Sequence, residues 1–311
     1  GRYALLARRY ARKTVRSAWV YDRLQRKATV EAKDWLIAGI GDSNGSGESN
    51  PPWLFKRCNR SAASYQYRTA LYLERQDPRS SVTFVFTSCS GARIRHLVSA
   101  HYPGTRAQKP GLPPQIDQVL ALTHSPKGHD IHRAIDFTLL SIGVNDLWFG
   151  AVSEWCILHP ATPRPDSRQC EDLHVKAHAK PDEEKYWFTA GDSLHDPTLD
   201  AWLRRTQSHL VAQYRPLAKR LAAPESRGGL GLKLSHVLLA KYPDFSTDRN
   251  GDPCNTTGLT LIPFRWNTQT WTWWGLQART LDGRVDQTAR VYGWRATPLS
   301  ADAFSGHGYC A

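Results

Sequence analysis

Methionine is missing from all 311 positions, the first included. A chain opening on Gly1 fits a mature or excised polypeptide, so the lack of a recognisable leader excludes no destination. Long apolar runs are missing too. None approaches the ~18 residues that a membrane-spanning helix needs, and no transmembrane segment is expected. The six cysteines contain no Cys-x-x-Cys pair, which argues against a structural zinc site. The net charge is +13, yet no recognition motif for bases or phosphates accompanies it, so a nucleic-acid partner is not expected. There are no internal repeats and no long low-complexity tract.

The cysteines that are present, Cys58, Cys89, Cys156, Cys170, Cys254 and Cys310, are even in number and well spread. That pattern suggests three disulfides and an oxidising compartment, secreted or periplasmic. Fifteen pairings are open. Sequential pairing is favoured, because Cys58 and Cys89 flank segments that should lie close together. The positive charge concentrates at the start, where residues 1–33 hold ten Lys and Arg against Asp22 and Glu31. Residues 3–30 have few breakers, and Ala4, Ala7, Ala11, Val15 and Ala18 make an imperfect helical stripe. This stretch is read as a basic helical extension, either a solvated face or a contact for a membrane surface or polyanion.

From residue 34 onward strands and helices alternate. Trp35 to Ile40 reads as a buried strand, 61–76 as a helix, Val82 to Phe86 as a second strand and 114–123 as a short helix. Ile135 to Ile142 is a third strand and Leu234 to Ala240 a fourth. Residues 158–190, rich in Pro, His and charge, read as a surface insertion clipped by Cys156 and Cys170. A long helix over 197–223 would start with Asp196 as cap and Pro197 in its first turn. Residues 245–275 read as irregular, 280–292 as a last helix and Gly293 to Ala296 as a last strand. Such alternation predicts an α/β fold with a parallel sheet, its ligand site beyond the carboxyl ends of the strands.

Four residues at those ends have chemistry to offer. Ser43 lies in the glycine-rich turn Gly41-Asp42-Ser43-Asn44-Gly45-Ser46-Gly47-Glu48, directly after the first strand. Ester cleavage needs a rigidly held hydroxyl of this kind, a base for its proton and donors for the oxyanion. Gly91, in Cys89-Ser90-Gly91-Ala92 after the second strand, can offer its N–H, and Asn145, in Gly143-Val144-Asn145-Asp146 after the third, its amide. His307 follows the last strand and can serve as general base. Taken singly, each has a plainer reading: a polar turn, a common glycine, a helix cap, a surface histidine.

In this order the four residues resemble the SGNH (GDSL-like) serine hydrolases, and in particular secreted bacterial lipases and esterases with three disulfides. Those share a Gly-Asp-Ser-x-x-Ser-Gly-Glu stretch, a Cys-Ser-Gly-Ala turn and a Gly-His-x-x-Cys ending. The resemblance spans residues 35–311 and places the hydrolase domain at 34–311. It implies a flavodoxin-like three-layer α/β/α sandwich with a five-stranded parallel sheet in the order 2-1-3-4-5. It also implies nucleophilic attack by Ser43, an oxyanion hole from the Ser43 and Gly91 N–H groups and the Asn145 amide, and His307 as base and then acid. No metal or cofactor is implied. The family places Asp three residues before the histidine, where this chain has Phe304. Either Asp302, five residues before, orients His307, or the Phe304 backbone carbonyl does.

The implied activity is hydrolysis of a carboxylic ester, either a lipid ester or an O-acetyl group on a glycan. Acyl transfer to a polysaccharide with the same residues is the main alternative, and an inactive binding module on the same fold is a second. The string Gly191-Asp192-Ser193-Leu194 spells the family signature outright but comes after the other motifs, so Ser193 is read as part of a polar turn. Trp266, Trp271, Trp273 and Trp274 are read either as core or as the lining of a substrate cleft.

Overall fold

The computed structural model describes residues 14–21, 27–105, 107–123, 134–159, 169–256, 266–297 and 307–311. In chain order the regular elements are β1 (Thr14–Tyr21), β2 (Lys27–Gly41), α1 (Ser43–Ser46), β3 (Trp53–Phe55), β4 (Arg60–Ser61), α2 (Tyr65–Gln76) and β5 (Ser80–Phe86). Then come α3 (Ile94–Val98), α4 (Gln115–Thr123), β6 (Phe137–Ser141), α5 (Phe149–Leu158), β7 (Val175–Lys180) and β8 (Lys185–Ala190). The remainder are α6 (Leu199–Gln213), α7 (Arg215–Ala222), β9 (Val237–Leu239), α8 (Thr268–Tyr292) and β10 (Arg295–Ala296).

The central sheet runs β5-β2-β6-β9-β10, which is the order 2-1-3-4-5 for these five strands. β2 pairs in parallel with β5 and with β6, and β6 with β9. Leu36, Ile37, Ala38 and Ile40 of β2 are all buried, the near-continuous apolar run of a strand covered on both faces. Gly39 interrupts that run for a reason: a Cβ there would press on the Phe84 ring and on Gln66 of α2. Helices flank the sheet in a three-layer, flavodoxin-like α/β/α arrangement. Among the described residues no helix is long and apolar enough to cross a membrane.

The chain divides into two compact units. The first comprises the described residues up to Ile142 with Arg215–Leu239 and Tyr292–Arg295; it holds most of the sheet together with α2, α3, α4 and α7. The second comprises Gly143–Tyr214, Ala240–Val291 and the described part of Ala296–Ala311. It contains α5, α6 and the β7–β8 hairpin. Two of the three disulfides, Cys156–Cys170 and Cys254–Cys310, belong to it, while Cys58–Cys89 lies in the first unit. The pairing is sequential, as expected.

Four sequence expectations are corrected. Residues 14–21 and 27–33 are not helical: β1 pairs antiparallel with the first half of β2, Thr14 opposite Lys33 and Tyr21 opposite Lys27. The rest of the expected helix, 3–13 and 22–26, lies outside the described residues. The Ala and Arg content favours a helix locally, but Thr14, Val15, Trp19, Val20 and Tyr21 suit a strand, and pairing with an existing sheet decides between them. The boundary drawn at 33/34 therefore falls inside one continuous strand. The helix over 197–223 is two helices meeting at Tyr214, and its cap is Thr198, whose hydroxyl accepts from Ala201 N–H, rather than Asp196.

The tract 245–275 is not irregular throughout, since α8 already begins at Thr268. Its tryptophans belong to the core: Trp271 and Trp274 lie one turn apart, and Trp266 stacks on Trp274 with centroids 5.4 Å apart. The cleft-lining alternative is thereby removed. Finally, the insertion 158–190 contains the regular hairpin β7–β8, clipped at its base by Cys156–Cys170.

Candidate active site

In the first unit β2 ends in a turn with very little freedom. Gly41 has φ +140°, and any side chain there would collide with the Ser141 carbonyl of β6. Its N–H donates to Gln115 Oε1 and its carbonyl accepts from Gln115 Nε2, both at 2.7 Å. Asp42 is fully buried; its carboxylate accepts from Ser141 Oγ at 2.7 Å and caps α1 through Asn44 N–H at 3.1 Å. Below the turn, buried Gln66 donates to the Ile40 and Leu139 carbonyls and accepts from Ser88 Oγ at 2.6 Å. Ser43 follows directly as the half-buried first residue of α1, held at the carboxyl end of the sheet.

Gly91 stands in the corresponding place after β5. Its φ is +81°, and a Cβ would collide with the Tyr102 hydroxyl. That hydroxyl donates to the Ser90 carbonyl at 2.7 Å, and the Tyr102 ring stacks on buried His96 at 4.6 Å. Burial holds His96 neutral, lowering its pKa to about 3, while its Nδ1 accepts from Arg93 N–H. Ser90 Oγ donates to Glu48 at the end of the Ser43 turn, and Cys89 N–H donates to the Gly41 carbonyl at 2.9 Å. The Cys58–Cys89 disulfide and Arg60, which donates to the Thr87 and Ser88 carbonyls, fix the loop from the other side. The two turns are thus bound to each other. Among the described residues nothing accepts the backbone N–H of Ser43 or of Gly91, and nothing in this unit accepts from the Ser43 hydroxyl.

In the second unit Asn145 opens a short 3-10 turn, half-buried, four residues beyond the end of β6 in the chain. Two tyrosines position the approach to it. Gly143, at φ +130°, has room for no side chain because of the Tyr214 hydroxyl, and Val144 N–H donates to the Tyr242 hydroxyl at 3.3 Å. Tyr242 N–H in turn donates to Asp282 of α8, whose pKa burial pushes up to about 6. His307 is exposed on a short tail tied down just after it. Gly308 packs on the Thr247 backbone, Tyr309 N–H donates to the Phe245 carbonyl, and Cys310 is bonded to Cys254. Asp302 and Phe304 lie outside the described residues, so neither candidate partner of His307 is placed.

The four residues singled out in the sequence therefore fall into two pairs, Ser43 with Gly91 and Asn145 with His307, each described within its own unit. Ser193 lies in an exposed turn between β8 and α6, beside Leu194 at 84% exposure. Its neighbour Asp192 accepts from Leu194 N–H, so the literal GDSL string serves turn geometry. Sequence reasoning missed Gln66, Gln115, Tyr102, Tyr214 and Tyr242, which hold the turns in place. The glycines beside them were the available signal: Gly39, Gly41, Gly91 and Gly143 each mark a spot where one of these side chains or a backbone comes too close for a Cβ. Among the described residues no group of His, Cys, Asp and Glu could hold a metal ion.

No protein-family model matches the chain, and no curated protein sequence does. Solved structures do. The extracellular lipase from Streptomyces rimosus superposes with a TM-score of 0.53 at 18% identity, covering 90% of this chain and 85% of the lipase. Phospholipase A1 from Streptomyces albidoflavus gives 0.49 at 18% identity, over 90% of this chain and 84% of its own. The chain therefore has the fold of the Streptomyces rimosus lipase and carries, on that fold, the four residues by which it resembles the SGNH hydrolases.

Proposed function

We propose that this protein is a serine hydrolase of carboxylic esters, acting through an acyl-enzyme on Ser43 in an extracytoplasmic compartment. The observation that carries the reading is the pair of unengaged N–H groups, on Ser43 and Gly91, in two mutually pinned turns at the carboxyl end of the sheet. Preorganised donors that need not move during reaction are what an oxyanion requires. In this reading Ser43 Oγ bonds to the acyl carbon as its proton passes to His307. The carbonyl oxygen becomes an oxyanion held by the two N–H groups and the Asn145 amide. Collapse breaks the ester C–O bond, and His307 gives the proton to the departing alkoxide. Water then repeats the sequence on the acyl-Ser43 bond and releases the acid. Asp302 or the Phe304 carbonyl would orient His307. The three disulfides support export, because such bonds persist in oxidising surroundings.

The substrate is an ester of a lipid or an O-acetyl group of a glycan. A chain-length series of nitrophenyl esters together with acetylated glycans, run on wild type, Ser43→Ala and Asn145→Ala, tests the reading. Ser43→Ala should abolish turnover. Asn145→Ala should lower kcat by about 10²–10³-fold, the usual cost of one oxyanion donor. Full turnover by Ser43→Ala would remove the serine from the chemistry.

A further inference from the structure

The second unit holds a cavity of about 540 Å³ that the esterase reading does not use. It runs beside α6, and its floor is one helical stripe, Trp202, Arg205, Thr206, His209 and Gln213, at the spacing of a single helix face. Its rim is Leu194, His195, Asp196 and Pro197, in the turn after β8 and directly following the literal GDSL string's serine. From Trp202 to Gln213 the stripe extends about 16 Å along the helix axis. The volume is within the ordinary range for small-ligand sites.

The chemistry of the lining is specific. The guanidinium is not neutralised by the protein: among the described residues Arg205 has no acidic partner, while neighbouring Arg204 is paired with Asp200 at 2.7 Å and His195, also in the lining, sits 3.1 Å from Asp192. The carboxylate in the lining, Asp196, is already engaged, accepting from Asp192 N–H at 2.7 Å and facing Lys176, and the adjacent Asp192 carboxylate is engaged by His195. Trp202 is half-buried, braced by Trp148 at 5.0 Å and Phe188 at 4.9 Å, and its indole N–H has no acceptor among the described residues. A held aromatic ring with an idle donor, an unpaired guanidinium one turn away and an open groove a few sugar rings long select a ligand with both flat apolar faces and negative charge. An acyl chain would leave the guanidinium unanswered, and a lone phosphate would leave the ring unused.

We propose that this groove binds an acidic oligosaccharide, with Trp202 against a sugar face and Arg205 on a sugar carboxylate. None of its lining residues takes part in the esterase reading, and the proposal does not depend on that reading. Isothermal titration of the intact, oxidised protein with trigalacturonate, and with maltotriose as the neutral control, tests it. Trigalacturonate should bind and maltotriose should bind about tenfold more weakly or less. Arg205→Gln should weaken trigalacturonate by about tenfold or more, the worth of a charge-assisted hydrogen bond. Trp202→Phe should weaken both sugars. Nitrophenyl acetate turnover by Arg205→Gln, if wild type has it, should be unchanged. A wild type that binds the sugar without hydrolysing esters would sink the esterase reading and leave this one standing. Three results would overturn the proposal: no trigalacturonate binding at millimolar concentration, equal binding by wild type and Arg205→Gln, or an Arg205-dependent flotation with phosphatidylglycerol vesicles in the absence of sugar binding.

Discussion

Gly91 and Tyr102 are the closest thing to a lock at the single-residue scale. The Tyr102 hydroxyl occupies the space where a Cβ on residue 91 would go, and the positive φ disfavours a side chain there in any case. Gly91→Ala should therefore displace its own N–H, with loss of esterase activity and a lowered Tm. Removing the hydroxyl relieves the worst of the collision, because the next ring atom would stand 3.4 Å away. The double variant Gly91→Ala/Tyr102→Phe should recover a large part of the Tm lost by the single one, as read by thermal denaturation. A strictly additive pair would mean that the hydroxyl does not police this position. The same logic explains what was visible beforehand. Ser43, Gly91, Asn145 and His307 could be read from motif order, whereas Tyr102, Tyr214 and Gln66 could not, because long-range partners leave no trace in local spacing.

At the scale of elements, β2, β5, β6 and α4 were legible because buried parallel strands are short apolar runs and Pro113-Pro114 punctuates the helix start. β1 and the first half of β2 were not, since their Ala and Arg content mimics a helix and only pairing across the hairpin settles the matter. The second half of α8 was read as the helix 280–292, but its first half was concealed by threonines and tryptophans that favour strands intrinsically, with Trp274 packing here on Phe149 and Phe245. The C-terminal tail is held less by regular structure than by Cys254–Cys310, which closes a loop of 56 residues three positions beyond His307. Replacing both cysteines by serine should cost about 4 kcal/mol of stability on the chain-entropy model. It should also lower kcat at temperatures where the variant is still folded. Replacing Cys156 and Cys170, which close a separation of only 14, should cost less and leave kcat near wild type. Equal kcat losses in the two variants would contradict a special role for the tail.

At the scale of the whole molecule, the response to acid combines groups of opposite sign. His96, held neutral with a pKa near 3 against 6.5 in the unfolded chain, makes folding less favourable as pH falls below about 6.5, because only the unfolded state takes the proton. Asp282 works the other way. Its folded pKa is about 6 against 3.8, so the folded state takes the proton first and gains stability as pH falls from about 6 to about 4. The two partly offset one another in that window. Asp282→Asn keeps an acceptor for Tyr242 N–H and removes the compensating titration, so its Tm should fall more steeply than wild type between pH 6 and pH 4. Parallel Tm profiles would show that Asp282 does not titrate in this range. Through Tyr242 and Val144 the same carboxyl is linked to the turn carrying Asn145, which joins this acid response to the candidate site.

Labelling with a fluorophosphonate probe reaches the central claim directly, because such probes react with activated serines and leave a covalent mass on the residue itself. Intact-mass analysis followed by peptide mapping should find a single adduct on the peptide carrying Ser43, lost in both Ser43→Ala and His307→Ala. An adduct on Ser193, or an unmodified chain after prolonged exposure, would contradict the account.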